Sequence, residues 1–147
     1  GEPFEIAEED RGVYHAALNH GANFLATVVT QSKQILSTVG IDDPGTFLRP
    51  LCEAALDRAL RAGDRGVSGP IPRGDVGTIR EHLSVLETKA KEENLAGEGQ
   101  WGHRLRDARS TYAAMTLHTV DLLEFEGRIS SQVASEIRAA VREMSEK

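Results

Sequence analysis

The sequence predicts an all-α protein, a helical bundle of about five helices with a long first helix. Apolar residues recur at spacings of three and four along most of the chain, and no segment shows the strict alternation of a half-buried strand. Aromatic residues make up only 5% of the chain, and the apolar set consists mostly of Ala, Leu and Val, which favours helix. Because 147 residues are enough for one hydrophobic core, we expect a single domain over residues 1–147.

The first helix is predicted to span about Glu8 to Val39. Its start carries the negative charges of Glu8, Glu9 and Asp10, which suit the positive end of a helix dipole. Gly40 is a suitable residue to end it. We expect this helix to be the most buried element and the spine of a bundle or of a dimer. Its proposed inner face recurs every three or four residues: Tyr14, Leu18, Gly21, Leu25, Val28, Ser32, Ile35 and Val39.

Two further helices are predicted in the middle of the chain, with a loop between them. The second begins at 42–44, where Pro44 is tolerated in a first turn, and Gly63 ends it. The segment 64–74 is the richest in Gly and Pro, so we interpret it as an ordered loop, and Asp75 then caps the third helix. The apolar stripes are Leu48, Leu51, Cys52, Ala55, Ala59 and Leu60 in the second helix, and Val76, Ile79, Leu83, Leu86 and Ala90 in the third.

The last part of the chain predicts two more helices after a polar connection. Residues 92–102 are polar and contain glycine, which favours a mobile segment. The fourth helix should run from about His103 to Glu126, and Gly127 stops it. Ser130 or Ser131 then caps a fifth helix. The fourth helix is expected to pack through Leu105, Ala108, Tyr112, Met115, Thr119 and Leu122, and the fifth through Val133, Ile137, Val141 and Met144.

Charge, cysteine content and missing motifs exclude several classes of function. The chain has 17 Lys and Arg against 23 Asp and Glu, a net charge of −6 that argues against a nucleic-acid partner. A single cysteine, Cys52, excludes an internal disulfide, and its apolar setting favours a buried structural thiol. Neither a membrane-spanning run nor a signal peptide is recognisable, so we expect a soluble, cytoplasmic protein with no membrane partner. We also expect no metal site, because neither paired cysteines nor a His-Glu-x-x-His motif occurs.

Three polar side chains share one face of the predicted first helix. His15, Asn19 and Asn23 are spaced four residues apart, so they stack along one side of the helix, and we call them the polar ladder. An imidazole can donate a proton, and carboxamides can hold a carbonyl oxygen or a carboxylate. The ladder is therefore either a candidate catalytic site or a set of helix–helix hydrogen bonds that serves no ligand.

The loop before the third helix is the second candidate site. Its residues 68–75 read SGPIPRGD, and we call it the 68–75 loop. Its glycines and prolines fix a loop shape. Arg73 can pair with a carboxylate or phosphate, and the helix N-terminus that follows favours an anion. Ser68, Arg73 and Asp75 are thus candidate substrate-binding residues. The alternative is a rigid turn between two helices, with Arg73 solvated.

The residues of both regions resemble a known family. YHAA at 14–17 with Asn23, a serine before GPI at 69–71, and RGD at 73–75 resemble the C-terminal domain of an uncharacterised reductase family. Its members are similar to ketopantoate reductase and pyrroline-5-carboxylate reductase, and they join an N-terminal Rossmann domain to an all-helical domain of the 6-phosphogluconate dehydrogenase C-terminal type. The resemblance covers about residues 5–86, and it implies that helical fold for this chain.

The resemblance also implies roles for individual residues. In ketopantoate reductase the corresponding long helix carries a catalytic lysine, with asparagines four and eight residues later. Here His15 stands at the lysine position, and Asn19 and Asn23 stand at the asparagine positions. His15 would then donate a proton to a substrate carbonyl that receives hydride, although the exchange of lysine for histidine argues against ketopantoate itself. The 68–75 loop would close over the substrate, with Arg73 pairing with its carboxylate.

The resemblance finally implies partners. Residues 1–147 would be the substrate-binding and dimerisation domain of an NAD(P)-dependent reductase acting on a small keto or imino acid, with the N-terminal Rossmann domain absent from this chain. NADP or NAD would bind in the full-length protein, whereas this chain alone would bind neither and would be inactive. A homodimer is expected because the helices carry many apolar stripes. The alternative is a stand-alone helical protein-interaction domain without catalytic activity.

Overall fold

The computed structural model describes residues 5–96 and 99–146 of the chain. Five α-helices lie within these ranges: α1 Arg11–Ser37, α2 Pro44–Ala62, α3 Val76–Leu95, α4 Gly99–Phe125 and α5 Ser131–Ser145. Two 3-10 helices, Glu8–Asp10 and Gly63–Gly66, precede α1 and follow α2. No strand occurs in the described part of the chain. The all-α class with about five helices, the first of them long, is therefore confirmed.

The residues expected to bound the helices do so. The side chains of Asp43, Asp75 and Ser130 each accept a hydrogen bond from the backbone N–H three residues later, at 3.0 to 3.2 Å. These bonds satisfy donors that have no partner within the helix itself. Gly63 and Gly127 follow α2 and α4 with φ values of 56° and 68°, a conformation that other residues rarely adopt. The local chemistry of the sequence thus sets where the helices start and stop.

The hydrophobic core lies between α3, α4 and α5. Ile79 and Leu83 of α3 meet Leu123 of α4 and Ile137 and Val141 of α5, and all of these side chains are almost completely buried. The stripes predicted for α3 and α5 are the ones that form this core. These three helices are consequently the part of the fold that apolar burial stabilises most.

The second half of α4 packs on the core through a different face from the predicted one. Beyond Ala108 the buried side is Thr116, Val120 and Leu123, whereas Met115 and Leu122 of the predicted seam are 50% and 44% exposed. The second half of α4 carries apolar residues on two faces, and the three-four spacing alone cannot tell which one meets the core. The face with Met115 points toward α1 instead, since Val28 and Met115 border the same small cavity.

The connection expected to be mobile at 92–102 is mostly helical, so that prediction is wrong. Helix α3 continues to Leu95 and α4 begins at Gly99, with residues 97 and 98 outside the described ranges. The two helix ends approach closely, because a Cβ atom at Gly102 would lie only 2.7 Å from the carbonyl oxygen of Ala90. Here glycine permits close helix packing rather than a flexible link.

The expected burial of the first helix is also wrong. None of the residues of α1 is buried, and Leu25 and Val28 are 43% and 36% exposed. Only the C-terminal half of α1 packs against the bundle. There the Gln31 side chain donates a hydrogen bond to Thr111 of α4 at 3.0 Å. Apolar periodicity shows that a helix face needs a partner. It does not show whether that partner belongs to the same chain.

Helix α2 is similarly open. In its described residues only Pro44 is buried, and Leu51 and Leu60 of the predicted stripe are 64% and 79% exposed. Cys52 is half-buried in a shallow groove beside Val29 of α1, rather than buried as expected. No helix in the described residues is long and apolar enough to cross a membrane. Helices α1 and α2 are thus largely exposed, whereas α3, α4 and α5 form the well-packed core.

Candidate functional site

The polar ladder lies on the open N-terminal half of α1. The Asn23 amide donates a hydrogen bond to the Asn19 side-chain oxygen, and the Thr27 hydroxyl donates to the Asn23 carbonyl at 3.1 Å. The His15 ring lies beside the Tyr14 ring, with 5.6 Å between their centroids. All of these side chains are exposed, and within the described ranges the ladder makes no hydrogen bond to another helix. Its polar groups are free to face a ligand or another domain.

The 68–75 loop is an ordered turn built on the core, as expected. The Asp75 N–H donates to the Pro70 carbonyl at 2.9 Å, and the Gly74 N–H donates to the Ile71 carbonyl at 3.0 Å. Ile71 packs against the core, and a Cβ at Gly74, where φ is 64°, would lie 3.2 Å from Val133 of α5. Gly74 thus provides both a left-handed conformation and close contact, so the loop has a fixed position.

The three candidate residues of this loop have different surroundings. Ser68 and Arg73 are exposed, and within the described residues neither side chain forms a hydrogen bond. Asp75 is the cap of α3, and its oxygens accept hydrogen bonds from the Thr78 backbone N–H at 3.0 Å and from the Thr78 hydroxyl at 2.7 Å. The hydroxyl and the N–H of Thr78, and then the charge of Arg73, hold the pKa of Asp75 below its usual value. Arg73 is consequently the loop residue with the most freedom to meet an anion.

The structure brings some of the predicted site residues together and leaves others apart. Asn19 and Asn23 are joined directly. In the described part of the chain no hydrogen bond or ion pair links Arg73 to the ladder, because the loop packs on α5 while the ladder lies on the free half of α1. The ladder and the loop are two separate surfaces in a single copy of the chain.

An open cleft begins where the ladder ends. It has a volume of about 370 Å³ and is bordered on one side by Thr27 and Thr30 of α1, and on the other by Arg104 and Asp107 of α4. The Arg104 guanidinium lies over the Trp101 ring, 5.1 Å from its centroid, which orients the charge. The sequence places Arg104 at the start of the predicted fourth helix but does not show that this position borders α1, so Arg104 is not among the predicted site residues. It is a second arginine placed to meet an anion near the ladder.

Sequence reasoning also missed a polar pair between α3 and α4. Nδ1 of His82 lies 2.8 Å from the Tyr112 hydroxyl, and the two rings meet edge to face. Burial raises the pKa of Tyr112. The residue also borders a cavity of about 130 Å³ between α1, α3 and α4. The sequence contains one signal for this pair. His82 directly precedes Leu83 of the α3 stripe, so its imidazole lies next to the core and needs a hydrogen-bonding partner.

The described residues contain no cluster of three or more His, Cys, Asp or Glu side chains arranged for a metal ion. The polar ladder and the two arginines, Arg73 and Arg104, offer one imidazole, two carboxamides and two exposed or half-exposed guanidinium groups. Together they can hydrogen-bond a carbonyl oxygen, donate a proton and neutralise a carboxylate.

One family of known sequences matches much of the chain. The family described as "Domain of unknown function (DUF2520)" matches residues 1–98, which is two thirds of the 147 residues. The match includes α1 with the polar ladder, α2, the 68–75 loop and α3. No curated protein and no solved structure matches the chain. The chain belongs to the DUF2520 family, a domain of unknown function.

Proposed function

We propose that this chain is the substrate-binding and dimerisation domain of an NAD(P)-dependent reductase that acts on a small keto or imino acid. The exposed polar ladder of α1 is the observation that carries the proposal. It orders one histidine and two hydrogen-bonded asparagines on the N-terminal half of α1, where every residue from 11 to 28 is exposed. The family match to residues 1–98 covers the regions that carry the resemblance to the reductases, and it assigns no function to them.

The ladder provides the groups that reduction of a carbonyl or imine requires from the protein. His15 would donate a proton to the substrate oxygen or nitrogen as hydride reaches the adjacent carbon. The amides of Asn19 and Asn23 would hold that oxygen or nitrogen in position. NADP or NAD supplies the hydride when it is bound by the N-terminal Rossmann domain that the resemblance implies. The described residues form no strand-to-helix turn for a pyrophosphate, so this chain's share would be substrate binding and proton transfer.

The carboxylate of a keto or imino acid requires a cationic partner. Arg73 is exposed on a rigid loop, which suits a fixed two-point contact with a carboxylate. The proposal requires that Arg73 and the ladder border the same space in the assembled protein. Arg104 borders the open cleft beside the ladder, and it is the alternative partner for the substrate carboxylate. Substitution of each arginine in turn distinguishes the two.

A second function is favoured by a different observation. Apolar side chains of α1 and α2 are widely exposed, as expected for a stand-alone helical domain that binds another protein. In that case the polar ladder would be a solvated edge of the binding surface, and no reductase activity would accompany the domain.

The deciding experiment uses the full-length protein and a panel of 2-keto acids and cyclic imino acids, with NADPH and NADH in turn. We expect oxidation of one cofactor with at least one member of the panel. The isolated chain 1–147 should give neither turnover nor heat of NADPH binding in calorimetry. A full-length protein that turns over no member of the panel, or micromolar NADPH binding by the isolated chain, would contradict the proposal.

A further inference from the structure

The chain exposes more surface than a compact monomer of its size. Its accessible surface is 9999 Å² for a mass of 16.0 kDa. The usual scaling of surface with mass gives about 7,400 Å², so the excess is roughly 2,600 Å² per chain. Obligate homodimers bury about 2,000 to 5,000 Å² in total. If each of two copies buried half of its excess surface, the contact would bury roughly 2,600 Å² in total, which falls within that range.

The excess surface includes a helical segment without formal charge. Residues 12–32 contain no Asp, Glu, Lys or Arg, although charged residues make up 27% of the chain. Every residue at positions 11–28 is nevertheless exposed. A helix that water surrounds normally carries charged side chains on its outer face. This composition indicates that another surface covers the segment in the functional molecule.

One side of this segment is suited to close helix packing. Helical spacing puts Tyr14, Leu18, Gly21, Leu25 and Val28 on the same side, which we call the α1 apolar face. A Cβ at Gly21 would meet nothing within 4 Å, so the backbone there is open to the approach of another helix. The ladder lies roughly 140° around the helix axis from this face, so a helix packed on the face would leave the ladder accessible.

We propose that the occupant is a second copy of this chain, with the two α1 helices packed antiparallel around Gly21. The inference rests on the dimerisation part of the proposed function and gives it a location. In an antiparallel two-fold pair centred at Gly21, each residue before position 21 faces the residue equally far after it. Residues 12–30 of one copy then face residues 30–12 of the other, and all of them belong to the charge-free segment 12–32. Within this contact no charged residue of one copy faces a charged residue of the other. The net charge of −6 on each copy therefore does not cause direct repulsion at the contact.

Neighbouring helices would extend the contact. Met115 and Leu122 of α4 are half exposed. Met115 borders the cavity that α4 shares with α1, and Leu122, two helical turns further, lies on the same side of α4. The neighbouring pairs Gln31–Thr111 and Val28–Met115 show that α1 runs antiparallel to α4. A partner helix on the α1 apolar face would therefore pass beside Met115 and Leu122. The contact would then bury apolar surface from both helices of each copy.

The test exchanges two glycines of the same helix for arginine. Gly12 and Gly21 both have open space around them, and their separation of nine residues puts them on opposite sides of α1. We expect wild-type chain 1–147 and Gly12→Arg to sediment at micromolar concentration as dimers, twice the chain mass of 16.0 kDa. Gly21→Arg should weaken dimerisation at least ten-fold. Arginine favours helix over glycine, so circular dichroism should show equal helix content in both variants.

Other outcomes would overturn the inference in distinguishable ways. A monomeric wild-type chain would contradict both the contact and the proposed dimerisation, and would leave the N-terminal domain as the cover of this face. A dimer that Gly21→Arg leaves intact, or that Gly12→Arg disrupts equally, would overturn the location alone. In a Cys52→Ser background, Gly21→Cys should form an intermolecular disulfide and Gly12→Cys should not, and a dimer without this difference would contradict the antiparallel pair. None of these results depends on reductase activity, so the two proposals can fail separately.

Discussion

Gln31 of α1 donates a hydrogen bond to Thr111 of α4 at 3.0 Å, and this is the only side-chain hydrogen bond between α1 and the bundle in the described residues. The bond lies at the boundary between the supported and the open half of α1. Thr111→Val keeps the side-chain shape and removes the acceptor, leaving the half-buried Gln31 amide without it. We expect a loss of about 1 kcal/mol in the free energy of unfolding, measured by urea denaturation.

The control for this substitution is Thr27→Val. The Thr27 hydroxyl bonds only to a carbonyl of its own helix and is exposed, so its removal should change the unfolding free energy much less. Equal effects of the two variants would show that the contact between α1 and α4 contributes little to stability.

Asp75 should make the stability of the fold depend on acid pH. Its pKa is held below the usual value by the hydroxyl and the N–H of Thr78, so the folded state binds this proton less readily than the unfolded state. The contribution is present above the unfolded pKa and is lost as pH falls through the lower folded pKa. Asn can cap a helix but does not ionise in this range, so Asp75→Asn should give a shallower acid loss of stability.

Thermal unfolding between about pH 2 and pH 6 would measure this difference, because the range spans the ordinary carboxyl pKa values. Asp42→Asn removes an exposed carboxylate that caps no helix, and it serves as the control. An identical pH profile for wild type and Asp75→Asn would show that the capping carboxylate is not linked to folding.

The two arginines near the proposed site should have different effects on catalysis. In the full-length enzyme Arg73→Ala should mainly raise KM for the keto or imino acid, by roughly ten-fold or more, since hydrogen bonds to charged groups contribute about 1.5–3 kcal/mol. Arg104→Ala removes a guanidinium of the same chemistry from the cleft beside Thr27, and we expect a smaller effect. If Arg104→Ala raises KM and Arg73→Ala does not, the carboxylate partner is Arg104 and the assignment to the loop is wrong.

The sequence predicted the helix ends and the central core well, because both depend on short-range chemistry. Asp43, Asp75 and Ser130 cap neighbouring amides within three residues. The stripe from Ile79 to Ala90 is buried as its spacing requires. Such features need no knowledge of distant parts of the chain.

The failures concern partners that a local pattern does not specify. The spacing of apolar residues predicts an apolar face around Leu25, but this face remains exposed in the described chain. The glycine at position 102 favours a flexible link in the sequence, whereas in the fold it lies where two helices approach too closely for a side chain. His82 and Tyr112 are 30 residues apart, and only the packing of α3 on α4 brings them within 2.8 Å.

The most direct test of the central claim is the turnover of the full-length enzyme after removal of one histidine. His15 and His20 are both exposed on α1, but His20 lies on another side of the helix, with its ring against Phe24. We expect His15→Ala to lower kcat by roughly 100-fold or more, as loss of a general acid does, and His20→Ala to leave kcat nearly unchanged. Equal kcat values for wild type and His15→Ala, per folded molecule, would contradict the assignment of the polar ladder as the catalytic site.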